Sequence, residues 1–506
     1  MSNIVGIDLG TTMSAIAFLN SVGKPEIIPN KEGDRITPSV IFFESDKKLL
    51  IGDEAKNQAG TDIKLVTREF KRKMHDESYS FSANNKTYSA TDLSSLILKK
   101  LVQDASVQVG EIKDVVISVP AYFKENQRNA TIQAGQLAGL NVIAIINEPT
   151  AAALFYASNS KISGKGLVYD LGGGTFDVTV TDTTGDDVKI VASAGDPHLG
   201  GIDFDQIILE LMSQKFDSAT GSKLCSDDES TYEFTLQAED IKKSLSSKNI
   251  VKRKLRTDDG SALIEISQNE FEEKISTYIS RTELLVEQAL DESNCEASDI
   301  DYILLVGGST RIPAIKKSIK SLMNKEPITA VNVDEAVALG AAIKAGLVTV
   351  KENMHNISST VVREMKKLDV TDVANYSYGT ISLSFHDQLD KYKNKNSIII
   401  EKNMSLPCSK SNTFYTTHQG QSVVNIEITQ GEGDDPDFVD IIDTFTLDLP
   451  EDREEGCPIE VTYSYDENQI MHCNAKDINS GIEKSKKINF TVDTNKKVTL
   501  DSFLID

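Results

Sequence analysis

The sequence predicts an α/β domain over residues 1–350, a linker over 351–373 and an antiparallel β-sandwich over 374–506. Three observations lead there. Up to about Gly346, short apolar strands alternate with helical stretches, the pattern of an α/β layer fold. Beyond about residue 373 the apolar period drops to two, as in half-buried antiparallel strands. Between them lies a charged stretch near 347–373 that reads as an irregular bridge.

Taken in order, Ile4-Val5-Gly6-Ile7 is an apolar run that ends in Asp8-Leu9-Gly10-Thr11-Thr12. Leu167-Val168-Tyr169 likewise ends in Asp170-Leu171-Gly172-Gly173-Gly174-Thr175-Phe176-Asp177. Each reads as a β-hairpin with an acid, glycines and a hydroxyl in its turn. Val115–Val119 and Val142–Ile146 are buried strands around a helix from Gln127 to Ala138. Phe271, Ile275, Tyr278, Ile279, Leu285, Val286, Ala289 and Leu290 recur at helical spacing and predict one long core-packed helix. Ile303–Val306 is a strand running into Gly307-Gly308-Ser309-Thr310-Arg311, a glycine turn before a helix start. Glu335–Gly346 is a short-sided, Ala-rich helix that can pack closely. In the tail, Val423–Ile428, Phe445–Leu449 and Ile459–Tyr463 alternate as strands, with turns at 466–468 and 479–481.

The turns carry the chemistry. Glycine lets backbone N–H groups close on an anion, because no Cβ blocks the approach. An aspartate beside phosphate makes sense only with a cation between them, and Mg²⁺ held through water fits. Two such turns facing each other would clamp a polyphosphate from both sides. None is a P-loop, which needs Gly-Lys-Ser/Thr, nor a Rossmann Gly-x-Gly-x-x-Gly.

Composition narrows the class. The 77 acids against 53 bases leave a net charge of −24, which argues against nucleic acid or acidic membranes as partners. No apolar stretch approaches the roughly 18 residues that span a bilayer, and a strand begins too near Met1 to leave room for a signal segment. The five scattered cysteines have no metal-ligand spacing and read as reduced thiols in a cytoplasmic protein.

Further stretches carry a resemblance. They include Gly33-Asp34-Arg35-Ile36-Thr37-Pro38-Ser39, Phe70-Lys71-Arg72 and Val119-Pro120-Ala121-Tyr122-Phe123 with Gln127-Arg128. Ile146-Asn147-Glu148-Pro149-Thr150-Ala151-Ala152-Ala153, Gly195-Asp196-Pro197-His198-Leu199-Gly200-Gly201-Ile202-Asp203-Phe204-Asp205 and Asp334-Glu335-Ala336-Val337-Ala338 continue it. With the three turns, these resemble the 70-kDa heat-shock (DnaK-type) chaperone family, and the likeness runs through nearly the whole chain. The resemblance implies an actin-like, duplicated ribonuclease-H-like ATPase domain of four subdomains around a central nucleotide cleft, then a peptide-binding sandwich.

It also implies roles. Asp8 and Asp170 would hold Mg²⁺ through water; Gly10, Thr11, Thr12, Met13, Gly172, Gly173, Gly174, Thr175, Gly200 and Gly201 would line the phosphates. Lys71 would be the catalytic lysine, although Lys71-Arg72-Lys73 by itself reads as a solvated basic run. Glu148 and Asp177 would steer water, with Thr175 beside them. Glu239, Lys242, Lys243, Ser246, Gly307, Gly308, Ser309, Arg311 and Asp334 would hold the adenosine end, although charged residues three apart are usually a solvated face. Pro120, Arg128 and Pro149 resemble an interdomain switch. Phe414, Val424 and Ile426 match a peptide cleft and read equally well as inner-face core. The expected cofactors are ATP/ADP and Mg²⁺, with K⁺ as a further ion.

Several residues depart from the family pattern. Lys243 stands where an arginine often stacks on adenine, and lysine lacks the planar face, so weaker nucleotide binding is expected. Met13 replaces an aromatic and Pro197 a threonine. The linker keeps only Leu368, Val370 and Val373 as apolar residues, which predicts weakened docking. Tyr376 and Tyr378 replace leucines, Thr417 stands at a small arch position, and no helical lid fits before Asp506.

The expected function is an ATP-dependent chaperone, an ATPase binding extended apolar segments of unfolded proteins. Its expected partners are such clients, a J-domain co-chaperone and a nucleotide exchange factor. The alternative is an ATP-binding scaffold or co-chaperone for one dedicated partner; a sugar kinase or actin-like filament is disfavoured by the sandwich tail.

Overall fold

A computed structural model describes residues 3–506 except 59, 75, 161, 186, 330–331, 353–357, 387–390, 468 and 488–499. Residues 353–357 of the expected linker, and residue 468 of the turn expected at 466–468, lie outside the described residues.

The front domain is built as two lobes, first and second in chain order, each on a sheet of the same design. In the first, the order is Asn141–Asn147, Ile112–Val119, Asn3–Asp8, Met13–Leu19, Pro25–Ile27. In the second it is Ile328–Thr329, Tyr302–Val306, Gly164–Leu171, Phe176–Thr184, Asp187–Asp196. Each therefore joins an antiparallel meander to parallel strands on the other side of its first strand. The central strands are buried along most of their length, which is why they read as continuous apolar runs.

The two sheets meet through small residues. The Ala-rich helix Ala336–Lys351 lies between them, longer than the expected end at Gly346. A Cβ on Gly340 would stand 1.8 Å from the Ala151 carbonyl oxygen, and one on Gly6 would stand 2.0 Å from the Ala342 nitrogen. Only glycine allows backbones to approach this closely. The long helix expected around 271–290 is two helices, Gln268–Lys274 and Ser276–Glu292, broken at Ile275. Both halves still turn their apolar stripe into the second lobe's core, so the periodicity survives the break.

The bridge expected to be irregular is ordered where it is described. Ser359–Met365 is a helix with Ser358 as its N-cap. Asp369–Thr371 adds a parallel edge strand to the second sheet, beside Asp187–Lys189. The apolar residues that the segment keeps are used as well: Val373 is buried, and Leu368 and Val370 pack against the same core.

The tail is a sandwich of two four-stranded sheets among the described residues. One orders Lys391–Ile400, Tyr378–His386, Val423–Gln430, Asp440–Asp448; the other orders Cys408–Tyr415, Pro458–Tyr465, Met471–Asp477, Glu483–Lys487. Pro458–Tyr465 and Met471–Asp477 alternate buried and half-buried along their length, the expected period of two. Leu500–Asp506, within the span expected to be sandwich, packs instead against the first lobe, where Leu504–Ile505 pairs with Lys48–Leu49.

Candidate active site

The two acid-and-glycine turns face each other in contact. The first hairpin pairs Asp8 with Ala15 across its strands, and the second pairs Asp170 with Asp177. A Cβ on Gly173 would come within 2.3 Å of Thr12 Oγ1, and one on Gly174 within 2.5 Å of Thr11 Oγ1. The third glycine turn supports the second hairpin: Ser309 Oγ donates to the Gly172 carbonyl at 2.9 Å, and Gly307 has φ +81°, a conformation that favours glycine.

These turns line a cavity of about 380 Å³ between the lobes. Every residue predicted for the nucleotide site lines it except Gly200 and Asp177. Gly200 sits just behind, at the start of the helix Gly201–Thr220, where its N–H donates to Asp203 Oδ2. Asp177 is buried one layer back, and its Oδ1 accepts the Tyr122 backbone N–H at 3.1 Å.

Lys71 is not a surface residue. It is 3 % exposed, its Nζ donates to Glu148 Oε1 at 2.6 Å, and it lies 5.4 Å from the centre of the Phe123 ring. The turn Phe70–Lys73 follows directly after the strand Val66–Arg68, and Phe70 and Met74 anchor it in the first lobe's core.

Around this one ammonium stand four carboxylates: Asp8, Glu148, Asp170 and Asp177. Burial, then Glu148, pushes the Asp8 carboxyl up to about 7. Burial and neighbouring acids hold Asp170 well above the ordinary carboxylate range, and burial with Glu148 lifts Asp177 to about 8. Acids crowded in this way favour an added cation. Asp8 and Asp170, one from each hairpin, offer hard oxygen donors suited to Mg²⁺ that keeps several waters.

The outer end of the cavity is held by ion pairs. Lys56 reaches across from the first lobe to Glu239 at 2.9 Å, and Lys243 reaches the same carboxylate at 2.6 Å. Burial pushes Glu239 up, but the two lysines outweigh it and hold the group down at about 2. Lys242 pairs with Asp205 at 2.8 Å and donates to the Gly201 carbonyl. Arg311 is bidentate on Asp334, at 3.0 and 2.7 Å.

Sequence reasoning missed Arg72 and Asp205. Arg72 Nε donates to the Gly174 carbonyl at 2.8 Å, and its guanidinium grips Asp203 at 2.6 Å. It ties the first lobe to the second hairpin from directly beside Lys71. Asp205 lines the cavity two residues beyond Asp203; Arg72 follows Lys71 and Asp205 follows the Gly200-Gly201 pair, and that proximity was the available signal.

The interdomain face is polar and buried. Arg128, 3 % exposed, donates to Asn147 Oδ1 at 3.0 Å. Asn147, Thr150 and Gln469 all donate to Asp372 Oδ2, at 3.1, 3.2 and 2.5 Å. Pro149 opens the helix Glu148–Asn159, and the Pro120 carbonyl accepts from Phe123 N–H. Tyr376 Oη donates to the Tyr122 carbonyl at 2.7 Å, so the sandwich touches the residue whose own N–H holds Asp177. Glu125 lies under Tyr378 and Tyr465 of the sandwich, each hydroxyl 3.4 Å away.

In the sandwich, Ile426 is core at 1 % exposure, and Phe414 and Val424 pack half-buried against that core from opposite sheets.

Two hairpins clamped across a cleft, a buried lysine–glutamate pair within it and a sandwich seated on the adjoining face define a two-lobed nucleotide-binding protein coupled to a β-sandwich module. A family model described as Hsp70 protein matches residues 4–81 and 74–501. The chain is 39% identical over 492 residues to a "Chaperone protein DnaK" of Thermotoga neapolitana, covering 95% of this chain and 79% of that protein. It is 38% identical over 493 residues to the protein of that name from Thermosipho africanus, with the same coverage. The chain belongs to the Hsp70 family, of actin-like ATPase domain and β-sandwich, and is an ATP-dependent chaperone with ATPase activity.

Proposed function

We propose that ATP is hydrolysed in the cleft between the two hairpins, and that nucleotide state sets how the sandwich holds extended apolar segments of client proteins. The observation that carries this is the buried Lys71–Glu148 pair between two opposed acid-and-glycine turns.

Phosphoryl transfer to water needs charge neutralisation and an aligned nucleophile more than a strong base. Backbone N–H groups of Gly10, Thr11, Thr12 and Gly172–Thr175 cradle the phosphates. Asp8 and Asp170 would hold Mg²⁺ through water, and the ion would supply charge neutralisation there. Lys71 offsets negative charge growing on the transferred group. Glu148 fixes Lys71 and, with Asp177, orients the attacking water. Glu239, Lys242, Lys243, Ser246, Arg311 and Asp334 hold the adenosine end, with Gly308 and Ser309 against it.

Pro120, Pro149 and Arg128 relay between this cleft and the sandwich, through Asn147 and Asp372. Phe414, Val424 and Ile426 belong to the peptide-holding face. A front domain over 1–350, a linker over 351–373 and a sandwich over 374–506, with four subdomains in the front domain, is the division this reading uses. Its partners are unfolded clients, a J-domain co-chaperone and an exchange factor, in the cytoplasm; all five cysteines are free.

Single-turnover ATP hydrolysis, measured alone and with an extended apolar peptide plus a J-domain protein, tests the proposal. Stimulation by both is expected. Tight ATP binding without any stimulated turnover would overturn it.

A further inference from the structure

The first lobe carries a small sheet in the order Leu504–Ile505, Lys48–Ile51, Val40–Phe42, Val66–Arg68. Its outermost strand comes from the far end of the chain. Leu504 N–H donates to the Lys47 carbonyl at 2.8 Å, Asp506 N–H to Leu49 at 3.0 Å, and Ile51 N–H back to Asp506 at 3.1 Å. Leu500, Phe503 and Ile505 are 3 %, 6 % and 5 % exposed and belong to the first lobe's core, with Phe43 and Tyr88. The Phe43 and Phe503 rings meet edge to face with centroids 6.1 Å apart. Lys31 and Lys99 pair with Asp506 and Asp501.

A segment beyond the sandwich thus fills a pocket on the domain before it. We propose that the edge of Lys48–Ile51, with the apolar pocket beneath it, is a strand-docking surface whose occupant is this chain's own Leu500–Asp506, and that its seating straps the sandwich onto the front domain. The linker is the first attachment and the strap the second. Main-chain pairing supplies grip, and alternate side chains in a pocket supply register. The chain between Lys487 and Leu500 spans roughly 45 Å at most, so a seated segment keeps the sandwich close and raises its effective concentration at the interface. The sheet's opposite edge, Val66–Arg68, leads into the turn of Lys71, which places the strap mechanically beside the cleft.

The docking uses no residue of the nucleotide site, so its test reads docking and not hydrolysis. Two amides are separate reporters. Ile51 N–H is bonded to Asp506 and reports seating; Glu125 N–H, at the first turn of a helix and without an intrahelical partner, donates to Gln430 Oε1 of the sandwich at 3.1 Å and reports sandwich docking. Hydrogen exchange is measured on the full chain, on a chain lacking 500–506 and on two substitutions. Phe503→Ser empties the pocket. Leu504→Pro removes one ladder donor while changing a side chain that is 62 % exposed, so it answers if Phe503→Ser fails to fold.

Each variant should lose about tenfold or more of the protection at both amides. A synthetic peptide of residues 500–506, added to the shortened chain at roughly millimolar concentration, should restore Ile51 but not Glu125, because a free peptide cannot tether. Three outcomes overturn the proposal: exchange rises at Ile51 alone; the free peptide restores both amides; or Ile51 protection in the full chain depends on protein concentration, which would make the occupant a second copy's segment.

Discussion

Replacing Lys71 by alanine tests the site most directly. The ammonium is 2.6 Å from Glu148 and nearly fully buried. With an effective dielectric near 20, the attraction across that separation is about 6 kcal/mol. Burial offsets much of it, and losing one partner of such a pair costs about 3–5 kcal/mol because the other charge is stranded. Here the stranding is worse than usual, since Glu148 remains among Asp8, Asp170 and Asp177. The nucleotide-free variant should therefore unfold at lower denaturant concentration than the parent. A positioned cation at a developing charge contributes about 10²–10³ in rate, so single-turnover hydrolysis should fall by that factor. ATP affinity by calorimetry should change far less, because the backbone cradle and the outer ion pairs remain. Hydrolysis within about tenfold of the parent would refute the role given to Lys71.

Three further outcomes follow from the geometry. Gly340→Ala places a methyl 1.8 Å from the Ala151 carbonyl oxygen, a backbone atom that cannot swing aside; a loss of about 1–3 kcal/mol in equilibrium unfolding is expected, and a change below about 0.5 kcal/mol would contradict the close approach. Lys243→Arg adds a planar group where adenosine is to bind, and a gain of about 0.5–1 kcal/mol, a few-fold in calorimetric ATP affinity, is expected. Burial under the sandwich raises the Glu125 carboxyl above its ordinary value of 4.5, although Arg128, Tyr378, Tyr465 and Asn129 pull it down. A raised carboxyl means the docked state holds its proton more tightly than the open one. This contribution to docking is complete below about pH 4.5 and is lost as pH rises through the raised value. Scattering against pH should show the docked shape favoured on the acid side, and Glu125→Gln should flatten that dependence; a parent profile that does not change with pH would remove Glu125 from the interface account.

Much of this was legible because local chemistry dictated it. A hairpin turn with glycines and hydroxyls can be read from its own few residues, and so can an alternating strand. The Ala-rich helix announced its close contact through small side chains alone. Arg72 was not legible as a clamp, since its partners, Gly174 and Asp203, lie more than a hundred positions away. Ile275 was not legible as a break because both helices keep one apolar face. The linker's seat was not legible for the reason that hid Arg72: Asp369–Thr371 pairs with Asp187–Lys189, Asp372 accepts from Asn147 and Gln469, and Val373 joins a core built from distant strands.

The sequence by itself determined the two acid-and-glycine turns, the α/β-then-sandwich order and the family, because each is written in contiguous residues whose backbone and side-chain preferences act over a few positions. Only the tertiary structure decided that Thr11 and Thr12 lie against Gly174 and Gly173, that Lys71 is buried on Glu148, and that Leu500–Asp506 returns to the first lobe. Those facts depend on which distant surfaces exclude water together. Burial is non-directional and proportional to area, and the residues that share it are chosen by the whole fold.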